Sequence, residues 1–245
     1  MHIALLIPAL NEEQAMPRTA MAAREALDRG LVGSVTVLDG GSTDRTVEIA
    51  REAGLGALQV RDVIPELGKV LGKGDSLFRG TRAIDADWYV FLDADLGNIS
   101  VDHIAALVAP IATAHETGVV FVKGGFVRVD ENGNPRAVPG GRVTEEFARP
   151  FLETIAPGLA ALSQPLSGQV AIRGDVARSL SFATGYGVEI AMLLDIHSRF
   201  GMAGIVEAGL GRIQNRWKDG AELDVVLLEV RDATQGLGGR RGQTS

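Results

Sequence analysis

Asp93-Ala94-Asp95 follows directly on the apolar run Trp88-Tyr89-Val90-Phe91-Leu92, so two carboxylates are expected to emerge where a buried β-strand ends. Carboxylates placed that closely repel unless solvent or a cation separates them. Their oxygens suit Mg²⁺ or Mn²⁺, ions that take few protein ligands and complete their coordination with water and phosphate oxygens. A diphosphate is the natural substrate group for such an ion. Asp-x-Asp triplets also cap helices and close loops, and only their neighbours separate the two roles.

Several neighbours carry matching chemistry. Asp39-Gly40-Gly41-Ser42-Thr43-Asp44 places an acid at a second expected strand end, followed by glycines and a Ser/Thr/Asp group able to cap the next helix. Asp39 can accept hydrogen bonds from a nucleobase edge or a ribose. Glu12 and Glu13 divide between service to a helix dipole and a ribose hydroxyl. Gly68-Lys69 and Gly72-Lys73-Gly74 offer ammonium groups to a phosphate. The glycine spacing before Lys73 and the Asp75 after it do not fit the phosphate loop of NTPases. Gly140-Gly141-Arg142-Val143-Thr144 joins helix-opening glycines, whose amides can face an anion, to a planar guanidinium fork; a Gly-rich turn capped by Thr144 is the simpler alternative. Gly185-Tyr186-Gly187-Val188-Glu189 brings an aromatic ring and an acid to a helix start, where Glu189 also suits the dipole. His2, His103, His115 and His197 form no spacing pattern.

These groups need a scaffold that gathers strand ends. The first half alternates apolar runs at 3–7, 34–38 and 88–92 with amphipathic stretches at 12–29 and 43–53 and a further helix before Trp88. That alternation predicts βαβ units in an α/β fold with a mainly parallel sheet, whose ligands bind beyond the carboxyl ends of the strands. From Gly118 onward, strands are expected at 119–123 and 125–129, with a hairpin around Asp130-Glu131-Asn132-Gly133-Asn134-Pro135. Helical patterns follow at 144–155, 188–200 and 221–231. The expectation is one domain over 1–233, with a donor-binding half at about 1–117, an acceptor-binding half at about 118–233, and a disordered Gly-rich tail at 234–245.

A chain of 245 residues is long enough for one large α/β domain. Hydrophobic content of 46% with 22% charged residues describes a soluble globular protein, and no apolar stretch is long enough to cross a bilayer. The apolar opening is interrupted by Pro8 and Asn11-Glu12-Glu13 and reads as a first strand rather than a leader. The absence of cysteine excludes disulfides and thiolate metal sites and agrees with a cytoplasmic location. A net charge of -7 gives no support for nucleic-acid or anionic-membrane binding. Anionic substrates then need local cations.

Pro8-Ala9-Leu10-Asn11-Glu12-Glu13, Leu38-Asp39-Gly40-Gly41-Ser42-Thr43-Asp44, Gly72-Lys73-Gly74-Asp75-Ser76-Leu77-Phe78-Arg79 and the Asp-x-Asp form an ordered set. Gly140 to Thr144 with Ala148-Arg149-Pro150, Gln164-Pro165-Leu166-Ser167-Gly168 and Tyr186-Gly187-Val188-Glu189 extend it. The set resembles the retaining GT-A glycosyltransferases that make glucosyl-3-phosphoglycerate and, more loosely, the mannosyl-3-phosphoglycerate synthases, from about Ile3 to about Arg216. The resemblance implies a Rossmann-like GT-A fold with a mixed, mainly parallel central sheet flanked by helices. It implies Mg²⁺ or Mn²⁺, a UDP- or GDP-glucose donor, a small anionic acceptor such as 3-phosphoglycerate, and a homodimer. It places the donor on Pro8, Ala9, Leu10, Glu12, Asp39, Lys73, Asp93 and Ala94. The acceptor falls on Gly141, Arg142, Val143, Thr144, Tyr186 and Arg216, catalysis on Glu189, Asp95 and Arg142, and the metal on Asp95 and Asn215. Asn215 stands where relatives carry a histidine, and Gln169 where an acid is usual. Two alternatives stay open. A polyprenyl-phosphate glycosyltransferase is disfavoured by the lack of a transmembrane or basic amphipathic segment, and a sugar-nucleotide binder without turnover is motivated by Asn215 and Gln169.

Overall fold

The three apolar runs of the first half form parallel strands β1 (Ile3–Ala9), β2 (Ser34–Asp39) and β4 (Trp88–Phe91), and β3 (Gly56–Gln59), short, largely half-buried and not expected from the sequence, pairs in parallel with β2. They are seen in a computed structural model that describes residues 1–214, 220–236 and 240–241. Helices Met16–Asp28, Thr46–Glu52 and Lys73–Ala83 lie between them in the chain, as crossovers between parallel strands require. The second half adds β5 (Phe121–Val129), β6 (Val170–Arg173), β7 (Phe182–Ala183) and β8 (Ile205–Gln214). The seven-stranded sheet runs β3-β2-β1-β4-β6-β5-β8. Only β6 runs against its neighbours, so the sheet is mixed and mainly parallel.

Helices cover both faces because β1 alternates its burial between two apolar clusters. Leu6 packs with Tyr89, Phe91, Phe121 and Ile172, whereas Leu5 and Ile7 pack with Val90, Val122 and Ala171, the period-two partition of a pleated strand. Each such side chain contributes about 1.5–3 kcal/mol when fully buried. The parallel register sets Ala9 beside Asp39 and Leu6 beside Phe91. The segments that follow β1, β2 and β4 therefore leave the sheet on one rim, where the functional motifs were expected.

Element boundaries moved where polar loops won over helix pattern. The first helix starts at Met16 rather than near Glu12, because Asn11 adopts a left-handed φ of 55° and its side chain accepts a bond from Thr43 N at 2.8 Å. The second starts at Thr46, since Asp44 Oδ1 accepts Thr46 N at 3.0 Å ahead of the helix. Residues 121–129 form one strand instead of two, with an irregular register against β8 between Gly125 and Val127. The expected hairpin is reduced to one bridge, Val129 to Pro135. Asp130 Oδ1 takes the amides of Asn132 and Asn134, both at 2.9 Å, and Pro135 has no N–H with which to extend a ladder. The helix over 144–155 opens as a π-helical turn, Thr144–Ala148, ahead of Arg149–Ile155; Pro150 removes an amide at that joint. Val188–Phe200 forms as expected and stops before Gly201 at φ 63°. The segment expected as a disordered tail contributes Thr234 to helix Gly220–Thr234, and β9 (Arg240–Arg241) pairs with the edge of β7. No described helix is long and apolar enough to cross a membrane.

Candidate active site

Close packing at a glycine delivers Lys73 to its partners. Gly72 has a φ of 91°, and a Cβ on Gly74 would overlap the carbonyl of Ala183; Asp75 N also donates to Thr184 O at 3.1 Å. The helix that begins at Lys73 is thereby pressed onto the segment leading to Glu189. Lys73 Nζ donates to Glu189 Oε1 at 2.6 Å and also to Asp93 Oδ1. Gln169 Nε2 donates to Asp93 Oδ2 at 3.1 Å. Burial works against the charge on Lys73, but Asp93 and Glu189 outweigh it and hold its pKa above the ordinary lysine range.

A second lysine lies behind the first. Lys123, in the middle of β5, is fully buried and donates to Ser167 O at 2.7 Å. Burial pushes its pKa down to about 7, with Glu189 opposing the shift and Lys73 adding to it. Lys123 was not among the expected site residues. Its sequence signal is a lysine at the end of the apolar run Val119-Val120-Phe121-Val122, since an uncompensated cation in a core strand is costly.

The loop before Lys73 is pinned from inside. Arg79 and Asp75 form a fully buried ion pair at 3.1 Å. Arg79 also donates to Val63 O at 2.8 Å, Ile64 O at 3.2 Å and Gly68 O at 2.9 Å, while Asp75 Oδ2 accepts Leu71 N at 2.9 Å. Ile64 is held at φ 52°, a strained conformation for a β-branched residue.

The rest of the rim is built by interlocking turns. Pro8 and Ala9 end β1, and Leu10 beyond them is exposed. Glu12 N donates to Thr46 Oγ1 at 2.8 Å and Asn11 N to Ser42 Oγ at 2.9 Å. Asp39 is buried, taking Ser42 N at 3.1 Å and Gln59 Nε2 at 2.7 Å. Much of its acceptor capacity is therefore spent on its own turn. Ala94 is buried, and its carbonyl accepts Thr19 Oγ1 at 3.0 Å; Asp95 beside it is half-buried.

On the expected acceptor side, Gly140 N donates to Glu145 Oε1 at 2.9 Å, and Val143 and Thr144 are buried. Arg142 lies outside the Lys73 cluster. It is 44% exposed and pairs with Glu146 at 3.1 Å and Asp224 at 3.3 Å. Tyr186 is also exposed, its backbone amide donated to Glu229. Asn215 and Arg216 lie outside the described residues.

The sequence profile of glycosyl transferase family 2 matches residues 4–161. Glucosyl-3-phosphoglycerate synthase of Mycolicibacterium paratuberculosis is 37% identical over 232 residues, which cover 93% of this chain and 70% of that protein. The chain belongs to glycosyl transferase family 2. Glucosyl-3-phosphoglycerate synthase of Petrotoga mobilis is 36% identical over 211 residues, 85% of this chain and 64% of that protein, so the chain matches less than two thirds of that relative's length. Among solved structures, glucosyl-3-phosphoglycerate synthase from Mycobacterium tuberculosis in complex with Mn²⁺, UDP and glucosyl-3-phosphoglycerate gives a TM-score of 0.86 at 35% identity, covering 97% of this chain and 80% of that one. Other structures of the same mycobacterial enzyme hold Mn²⁺ with UDP-glucose and phosphoglyceric acid, or Mg²⁺ with UDP.

As a family 2 member, the chain can be tested for its fit to a divalent cation. Among the described residues no three His, Cys, Asp or Glu side chains gather as a metal-binding group. Asp93 and Asp95 supply hard carboxylate oxygens of the kind that suit Mg²⁺ or Mn²⁺. A Cβ at Gly168 would run into Lys73 Nζ and the Asp93 carboxylate, so the glycine makes room for that ion pair.

Proposed function

We propose that this chain is a retaining glucosyltransferase that moves glucose from UDP-glucose to 3-phosphoglycerate. The observation that carries the proposal is Lys73 bridging Asp93 and Glu189 on the rim where β1, β2 and β4 end. Homology to enzymes with that donor and acceptor supports it.

In this reading Pro8 to Leu10, Glu12, Asp39 and Ala94 shape the nucleoside pocket, with Asp93 on the ribose side. Lys73 turns part of its charge from Asp93 and Glu189 to the donor's diphosphate. Asp95, with Asn215, would hold Mg²⁺ or Mn²⁺, which supplies positive charge against the leaving diphosphate. Gly141, Arg142, Val143, Thr144 and Arg216 hold the acceptor's anionic groups, and Tyr186 closes the pocket wall. Glu189 accepts a hydrogen bond from the acceptor hydroxyl and aims it at the anomeric carbon. The new carbon–oxygen bond forms on the face from which the diphosphate departs, and the hydroxyl proton passes to the departing phosphate oxygen.

The test is incubation of the purified chain with UDP-glucose or GDP-glucose, Mn²⁺ or Mg²⁺, and 3-phosphoglycerate. Expected are UDP release, an α-linked product by NMR, and loss of transfer on chelation with recovery on adding Mn²⁺. No transfer from either donor, with no donor binding by calorimetry, would remove the proposal.

A further inference from the structure

Arg128 carries more cation than the protein itself uses. It lies on β5, half-buried. Among the described residues its guanidinium makes one hydrogen bond, Nη1 to Gly140 O at 3.2 Å, while Nε is buried without an acceptor. Burial depresses its pKa first, the charge of Arg136 second, and Asp95 works in the opposite direction. A guanidinium that is partly desolvated, faces a second cation and has an unmade donor is unfavourable as it stands.

The neighbouring turn is shaped around it. Gly141 has a φ of 82°, and a Cβ there would run into Arg128 Nη1, so the chain gives up a side chain to admit the guanidinium. The turn is held from several sides. Gly140 N is bonded to Glu145 Oε1 at 2.9 Å, Gly141 N to Val138 O at 3.0 Å, and Gln164 Nε2 reaches Pro139 O at 2.9 Å. Glu145 is itself paired with Arg149 at 2.9 Å. Arg128 thus stands against a fixed turn and within electrostatic reach of Asp95 at the end of β4. Arg142, the arginine visible in the motif, is more exposed and pairs with Glu146 and Asp224 at the surface, where such pairs exchange readily for a ligand anion.

We propose that Arg128 binds the anionic group of the acceptor, a phosphate or carboxylate, and sets the preference for charged over neutral acceptors. The assignment rests on the glucosyl-transfer reading given above. A planar guanidinium matches either anion through paired N–H groups. An anion also offsets the charge of a guanidinium whose buried Nε has no acceptor, which a neutral acceptor does not, and that difference is what discriminates.

The test is calorimetric binding of 3-phosphoglycerate and, separately, of UDP-glucose to the wild type, Arg128→Lys and Arg128→Gln. Arg128→Lys keeps the charge but loses the fork. Each is expected to weaken 3-phosphoglycerate about tenfold or more, the scale of one lost charge-assisted hydrogen bond, with UDP-glucose affinity within about twofold of wild type. The kcat/KM ratio of 3-phosphoglycerate to glycerol should fall in parallel. Unchanged 3-phosphoglycerate affinity in the arginine variants, with UDP-glucose still bound, would overturn the role of Arg128 and leave the enzyme's function standing. A wild type that binds neither ligand would overturn both, and that failure is distinct because it precedes any substitution.

Discussion

Lys73 Nζ stands 2.6 Å from Glu189 Oε1 across 116 residues of sequence, and the same ammonium holds Asp93. One cation therefore neutralises the acid at the end of β4 and the acid at the start of helix Val188–Phe200. Replacing it changes both at once.

Lys73→Met should lower kcat/KM for UDP-glucose by about a hundredfold or more, the scale of a lost charge contact to a departing diphosphate. Calorimetry should show weaker UDP-glucose binding in the same variant, and an unchanged kcat/KM would contradict a contact between Lys73 and the diphosphate.

Lys123 gives a stability signature of known sign. Its folded pKa is about 7 against 10.5 for the unfolded chain, so the unfolded state binds more protons between those values. Stability from this group is complete above 10.5, falls as the pH is lowered through that window, and is lost below 7. Lys73, raised rather than lowered, contributes no slope below 10.5. Denaturant unfolding between pH 7.5 and 9.5 (about two units, conditions chosen to lie inside the window) should show a slope of at most roughly 1.4 kcal/mol per pH unit from Lys123. Lys123→Met should flatten it, and equal slopes in both proteins would contradict the assignment.

The Arg79–Asp75 pair predicts non-additivity. Arg79→Met takes the guanidinium away from a buried carboxylate and should cost about 3–5 kcal/mol. The double change Arg79→Met with Asp75→Asn should recover part of that loss, because the buried negative charge goes with its partner. Chemical unfolding of the four proteins measures the coupling. Because Arg79 also pins residues 63–68, donor KM should rise in any variant that still folds.

What was legible in the sequence was what is contiguous in it. The ends of β1, β2 and β4 could be read because apolar runs pass directly into Asn11, Asp39 and Asp93, and parallel strands must release such ends on one rim. Helix Val188–Phe200 was legible because its apolar periodicity is unbroken up to Gly201. Strand β8 escaped because, at a sheet edge, it alternates buried and exposed residues around two glycines, the second at a φ of 70°. Lys123 and Gln169 gain their meaning only from strands that pair far apart in sequence. Around Arg142 the sequence showed the motif but not its surroundings: Glu146 four residues on makes a helical ion pair with it, and a second cation, Arg128 of β5, is lodged against the Gly140-Gly141 turn.

The contact between Gly74 and Ala183 leaves no slack for a side chain. The helix that begins at Lys73 and the segment leading to Glu189 are therefore keyed together at backbone distance. A displacement of one is felt at the other, and any free-energy coupling between ligands held on the two must be reciprocal in their binding affinities.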